Sequence, residues 1–215
     1  MIFSQHQHIL FDGDSITDAG RDRDNLESFG YGYVALVVKH LQTHHTKLEL
    51  QFLNRGVGGD TTRDMLERFE RDILAHKPDW VSIAIGVNDI WRFFGDNLQD
   101  AVPLEEFESN YCFMLERLGF VKLILVAPFL IEPNRSDPFR AKIDQYGGVV
   151  QRLALEFKAV FVSFQAAFDA SALEPSAFSD DRVHPNDTGS QLMAQTFLRI
   201  RDLVQNSQWW LSRPI

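Results

Sequence analysis

Short apolar runs alternate with longer amphipathic stretches along most of this chain, and that alternation narrows the fold more than any single residue does. β-type runs fall at Ile9–Asp12, Leu48–Leu53, Trp80–Ile85, Leu123–Ala127 and Val160–Ser163. Several are continuously apolar, as strands covered on both faces must be. Helical periodicity fills the intervals at Tyr33–His44, Thr62–His76, Leu104–Leu118, Arg140–Lys158 and Pro185–Val204. In the second of these, Met65, Leu66, Phe69, Ile73 and Leu74 recur at helical spacing with Arg and Glu between them, and Lys77-Pro78-Asp79 then breaks the helix. Strand-helix-strand order of this kind predicts βαβ units and a parallel sheet. No linker, repeat or low-complexity tract interrupts it, so residues 1–215 read as one domain.

The bulk numbers exclude several classes of function. A formal net charge of −9 leaves no basic face for a nucleic-acid backbone or an anionic membrane surface. No stretch approaches the roughly 18 apolar residues that a membrane span needs. The single cysteine, Cys112, cannot form an intramolecular disulfide and fits a reducing compartment. With no basic leader at the N-terminus, the reading is a soluble cytoplasmic protein, and these numbers identify no substrate.

In open α/β sheets, ligands bind beyond the carboxyl ends of the strands. The segments in that position are Gly13-Asp14-Ser15, Asn54 through Asp60, Gly86-Val87-Asn88-Asp89 and Pro128-Phe129, so the unusual polar and glycine chemistry gathers at one edge. A serine hydroxyl becomes a nucleophile only when a base takes its proton and a third group orients that base. Asp181-Arg182-Val183-His184 offers both groups on one loop opposite Ser15. Gly58-Gly59 and Asn88 offer a backbone and a side-chain donor for an oxyanion. Taken singly, each piece could equally be a turn or a helix cap. All of them together, in order and each at its own strand end, are hard to explain that way.

These four blocks resemble those of the SGNH/GDSL hydrolases. The resemblance implies a flavodoxin-like three-layer α/β/α sandwich on a five-stranded parallel sheet, and a serine esterase needing neither metal nor cofactor. It further implies Ser15 as nucleophile and backbone oxyanion donor, Gly59 and Asn88 as the other oxyanion donors, His184 as general base and Asp181 as its partner. Asp180 is left as a solvated neighbour. Gly58 stands where the family usually has Ser. Longer stretches, among them Gly13 through Arg21, Lys77 through Ile83, Asn88 through Arg92 and Asp181 through Pro185, are similar to the intracellular acetyl-xylan-esterase-like branch, which implies an acetylated xylo-oligosaccharide as substrate. The rivals are a lysophospholipase or thioesterase with the same triad, a carbohydrate-binding protein without activity, and a nucleotide-binding redox protein. The last is disfavoured because Thr61 replaces the third glycine of a dinucleotide fingerprint. Ser15 also lacks the Gly-x-Ser-x-Gly elbow of the α/β-hydrolases.

Trp91 and Phe129 are the candidate substrate-binding aromatics, each with core packing as the other reading. His40 and His44 are spaced like a metal pair but have no third ligand nearby, and Cys112 has no activating cation. The acidic clusters Asp12, Asp14, Asp18 and Asp22 through Asn25 read as turn chemistry and solvated charge. Trp209-Trp210 belong to no periodic helix and leave two readings open, packing on the domain or a subunit contact in a homo-oligomer.

Overall fold

The computed structural model describes residues 2–95 and 98–200, so Trp209, Trp210 and the end of the last expected helix lie outside it. Strands β1 (His8–Gly13), β2 (Gln51–Asn54), β3 (Trp80–Ala84), β4 (Lys122–Val126) and β5 (Val160–Val162) form one parallel sheet in the order β2-β1-β3-β4-β5. This is the flavodoxin-like order, whose switch point lies between β1 and β3. The helices are α1 (Ser15–Asp18), α2 (Tyr33–His44), α3 (Thr62–Asp72), α4 (Val87–Trp91), α5 (Leu104–Leu118), α6 (Pro138–Glu156), α7 (Phe164–Asp169) and α8 (Asp187–Leu198). None of them is long and apolar enough to cross a membrane.

The pleat sorts alternate strand residues onto two cores. Leu10, Val81, Ile83, Leu123 and Leu125 pack with residues of α3, α5 and α6, including Met65, Phe69, Met114 and Val150. Ile9, Phe11, Ile124 and Val126 pack on the other face with Val34 and Val37 of α2 and Met193 and Phe197 of α8. Both faces of the sheet are therefore dry, which accounts for the unbroken apolar runs.

Several boundaries differ from those read in the sequence, each for a local reason. β2 starts at Gln51 because Thr46–Leu48 forms a 3-10 turn and Glu49 is left-handed at φ 48°. α3 stops at Asp72, with Leu74–His76 a separate 3-10 turn. α6 begins at Pro138, where the Asp137 carboxylate caps the Phe139 and Arg140 amides and proline suits the first turn. Pro185 stays outside α8 because Asn186 is the N-cap, accepting from Gly189 N. α1, α4 and α7 are too short to leave a periodic trace.

Candidate active site

Where β1 ends, its neighbour β3 comes too close for a side chain: a Cβ on Gly13 would lie 2.2 Å from Ala84 O and 2.5 Å from Thr17 Oγ1. The chain then turns directly into α1, with Asp14 as N-cap accepting from Ile16 N at 3.0 Å. Ser15 is the first residue of that helix, half-buried at the sheet edge. Asp14 is 2% exposed. Burial pushes its carboxyl up to about 7; the Ile16 hydrogen bond opposes that shift, and the charges of Asp89 and Asp60 add to it.

Ser15 Oγ lies 2.9 Å from His184 Nε2, and His184 Nδ1 lies 2.6 Å from Asp181 Oδ2. The other carboxylate oxygen of Asp181 accepts from His184 N at 2.7 Å, Val183 N at 2.9 Å and Ser179 Oγ at 3.0 Å. Burial disfavours the Asp181 charge, but the bonds from the His184 ring, the two amides and Ser179 outweigh it and hold the carboxyl well below its ordinary range. A carboxylate kept ionised on Nδ1 leaves Nε2 as the acceptor facing the serine hydroxyl. Such a chain can move a proton from Ser15 to the imidazole and stabilise the resulting cation. Asp180 is exposed.

The Gly58-Gly59 loop runs alongside Ser15. A Cβ on Gly58 would lie 3.7 Å from Ser15 Cβ, and Gly58 N donates to Asp18 Oδ2 at 3.1 Å. Gly59 has φ +88°, which favours glycine, and there is open space where its side chain would be. Asn88, 7% exposed on α4, donates from Nδ2 to Asp60 O at 3.0 Å. A primary amide carries two hydrogens, so one donor remains after that bond.

Beneath this loop lies a buried ion cluster that the sequence did not reveal. Arg68 of α3, 7% exposed, donates from Nη1 and Nη2 to the Asp12 carboxylate at 2.9 and 2.8 Å, and from Nε to Asp60 Oδ2 at 2.6 Å. It also reaches Arg55 O at 3.1 Å and Gly13 O at 3.3 Å. One side chain thus ties the end of β1 to the glycine loop. Asp89, fully buried beside Asn88, accepts from Thr62 N and Thr62 Oγ1 at the start of α3. Burial raises the Asp89 carboxyl to about 6, against the Thr62 hydrogen bonds.

Two sequence expectations are corrected here. Asp12, Asp14 and Asp18 are 0%, 2% and 7% exposed, not solvated; Arg68 and Arg23 pair with the first and last, and Asp14 is spent on capping. Phe129 is not at the substrate surface: at 3% exposed it packs on Phe164 and Phe168 in the core between β4, α7 and α8. Trp91 is 37% exposed with its ring 6.0 Å from that of His184. It belongs to an aromatic wall with Phe139 and Phe94, at 6.4 Å from Trp91 to Phe139 and 5.1 Å from Phe94 to Phe139.

Tyr31 lines a cavity of about 40 Å³ with Ser15, Ala19, Tyr33, His184 and Met193. Neither Phe139 nor Tyr31 was singled out in the sequence. Tyr31 follows Gly30 in an irregular loop, and Phe139 sits in a helix whose packing partner is 48 residues away in Trp91. A cavity of about 350 Å³ among Phe3, Leu41, Phe197 and Ile200 lies apart from these groups. The His40 and His44 rings stack on α2, with His44 Nδ1 3.0 Å from His40 O. Burial and the nearby Glu108 raise the Cys112 thiol, the reverse of activation.

Residues 11–192 match the GDSL-like Lipase/Acylhydrolase family. The chain is 44% identical over 203 residues to a protein named acetylxylan esterase from Geobacillus stearothermophilus, covering 90% of this chain and 93% of that one. The crystal structure of that acetylxylan esterase superposes with a TM-score of 0.90 at 41% identity, covering 93% of this chain and 96% of that chain. Solved variants of it, described as catalytic mutants, replace a Ser, an Asp and a His by Ala, the last two spaced as Asp181 and His184 are here. An alpha/beta hydrolase from the metagenome of Lake Arreo, Spain, matches with a TM-score of 0.90 at 37% identity, covering 93% of this chain and 97% of that one. A thioesterase 1/protease 1/lysophospholipase L1 from Escherichia coli is more distant, 24% identical over 135 residues that make up 62% of this chain and 59% of it. The serine at the end of β1, the glycine loop after β2, the asparagine after β3 and the Asp-x-x-His loop before α8 all fall within the matched span, and the chain belongs to the GDSL-like lipase/acylhydrolase family.

Proposed function

We propose that the protein is an esterase that removes acetyl groups from small xylo-oligosaccharides. The observation that carries this reading is the continuous path from Ser15 Oγ through the His184 ring to the Asp181 carboxylate. In the proposed reaction His184 Nε2 takes the Ser15 proton as Oγ bonds to the acetyl carbonyl carbon. The negative oxygen is held by Ser15 N, Gly59 N and the remaining Asn88 amide hydrogen. The intermediate collapses with the C–O bond to the sugar broken and the His184 proton delivered to the sugar oxygen. Water, deprotonated by His184, then releases acetate from the acetyl-Ser15 ester and restores the serine.

Two observations favour an acetyl group over a longer chain. The cavity beside Ser15 is about 40 Å³, small beside the roughly 300–1,000 Å³ of an ordinary ligand pocket. Trp91, Phe94 and Phe139 form an aromatic wall beside His184, in which the partly exposed Trp91 ring is available to stack on a sugar. The names of the relatives point to the same substrate class. The test compares p-nitrophenyl acetate, butyrate and octanoate with peracetylated xylose. kcat/KM should fall from acetate to octanoate by about ten- to a hundredfold, the effect of overfilling a site by 1–3 kcal/mol. A maximum at octanoate with no turnover of the acetylated sugar would favour a lysophospholipase or thioesterase.

A further inference from the structure

Between Asp181 and His184 stands Arg182, with φ +69°. A non-glycine residue in that region carries a conformational cost and needs fixing from outside. The Asp181 side chain ties the loop only to itself and to Ser179, through the Ser179 hydroxyl and the Val183 and His184 amides. Val183 is buried in the core, and Arg182 is the residue whose polar groups reach outward. Its Nη1 donates to Glu132 Oε2 at 2.9 Å and to Asp137 Oδ2 at 3.1 Å, and its carbonyl accepts from Ile131 N at 2.8 Å. The two acids are largely shielded, at 20% and 22% exposed.

These partners are themselves anchored. Asp137 caps α6 through its other oxygen, and Glu132 O accepts from Arg140 Nη1 at 2.5 Å. Arg140, 1% exposed, grips Asp169 of α7 with two bonds at 3.0 and 2.7 Å. The loop bearing His184 is thereby coupled through Arg182 to the first turn of α6 and on to α7.

We propose that Arg182 is a positioning residue: its guanidinium, held between Glu132 and Asp137, locks the left-handed turn that sets His184 within reach of Ser15. The proposal rests on the reading of Ser15 and His184 as nucleophile and base. Misplacing a reacting group by about 1 Å costs on the order of a hundredfold. Arg182→Ala should therefore lower kcat by about ten- to a hundredfold with KM within about twofold, and slow fluorophosphonate labelling of Ser15 by a similar factor. Arg182→Gly, which accepts the backbone angle without the guanidinium, should lose kcat as well but keep more thermal stability than Arg182→Ala. Arg182→Lys should recover part of the rate, since an ammonium lacks the planar fork that reaches both acids. Glu132→Gln in the Arg182→Ala background should add less than it does alone, because paired residues are not additive.

An unchanged kcat and labelling rate in Arg182→Ala, with Ser15→Ala inactive, would overturn the proposal and leave the triad reading intact. So would a loss of activity explained wholly by fewer titratable sites, each with normal turnover, since that would mark a folding role only. An active Ser15→Ala would instead overturn the reading on which the proposal rests.

Discussion

Asn88→Ala separates transition-state binding from architecture, because the side chain has two measurable tasks. One amide hydrogen is committed to Asp60 O at 3.0 Å and helps hold the glycine loop. The second is free to meet an oxyanion. Removing one oxyanion donor costs about 10²–10³ in kcat, or about 2.7–4 kcal/mol. Losing the bond to Asp60 O costs about 1 kcal/mol of stability, enough to lower Tm by a few degrees in a chain of this size. The loop would still be braced by Arg68 on the Asp60 carboxylate and by Asp18 on Gly58 N, so the variant should fold. Steady-state kinetics on p-nitrophenyl acetate, with active-site titration to fix the folded fraction, give both numbers. A steep rise in KM at constant kcat would refute the reasoning and make Asn88 a ground-state substrate contact. A Tm loss many times larger would mean that the residue is chiefly structural.

Asp181→Asn should cut kcat by about 10⁴ by removing the group that orients the imidazole, whereas Asp180→Asn should leave it within twofold; the reverse ranking in an ester assay would reassign the triad. Buried Asp14 and Asp89 titrate at about 7 and about 6 when folded, against an unperturbed 3.8. Between roughly pH 4 and 7 these two groups keep protons in the folded protein that the unfolded chain has released, so their contribution to stability is greatest below that window and falls as pH rises through it. Asp14→Asn should therefore flatten the decline in Tm between pH 5 and pH 8, and an unchanged slope would count against a buried titrating Asp14. Tyr31→Ala should lower kcat/KM on acetylated xylo-oligosaccharides severalfold, with Tyr31→Phe near wild type, because the ring lines the cavity beside Ser15; equal losses on sugar and simple acetate esters would speak against a contact with the sugar.

What could be read in the sequence depended on how far apart the interacting residues were. Strands buried on both faces leave continuous apolar runs, and α2 and α5 leave long periodic stretches, so these elements, the start of β2 excepted, lay within a residue or two of their expected bounds. Ser15, Gly59, Asn88, Asp181 and His184 were readable because each sits at a strand end or on a short loop with a recognisable local pattern. Arg68 was not, because an arginine midway along an amphipathic helix looks like solvated charge until β1 brings Asp12 beneath it. Phe129 took the core packing that was its other reading, because residues just past a strand end can turn back under the sheet edge as readily as outward. Asp181 and Asp180 could be separated by spacing alone, since a carboxylate three residues ahead of an imidazole can bond its ring and its amide together.

The Arg68 cluster also bears on how this edge of the protein opens and closes. A guanidinium sealed among Asp12, Asp60 and two carbonyls is costly to expose to any one of them alone, because breaking a buried pair strands a charge. Peeling the glycine loop from the sheet would cost Arg68 its Asp60 partner, and lifting α3 would leave Asp12 unpaired. The amides of Gly58 and Asp60, bonded to Asp18 Oδ2 and Val57 O, should therefore exchange with solvent deuterium only when much of the sheet edge unfolds, although they lie in a glycine-rich surface loop. Local breathing, ordinarily the habit of such loops, is here yoked to the cooperative unit of β1 and α3. The loop proposed to supply an oxyanion donor is thus kept in place before any substrate arrives.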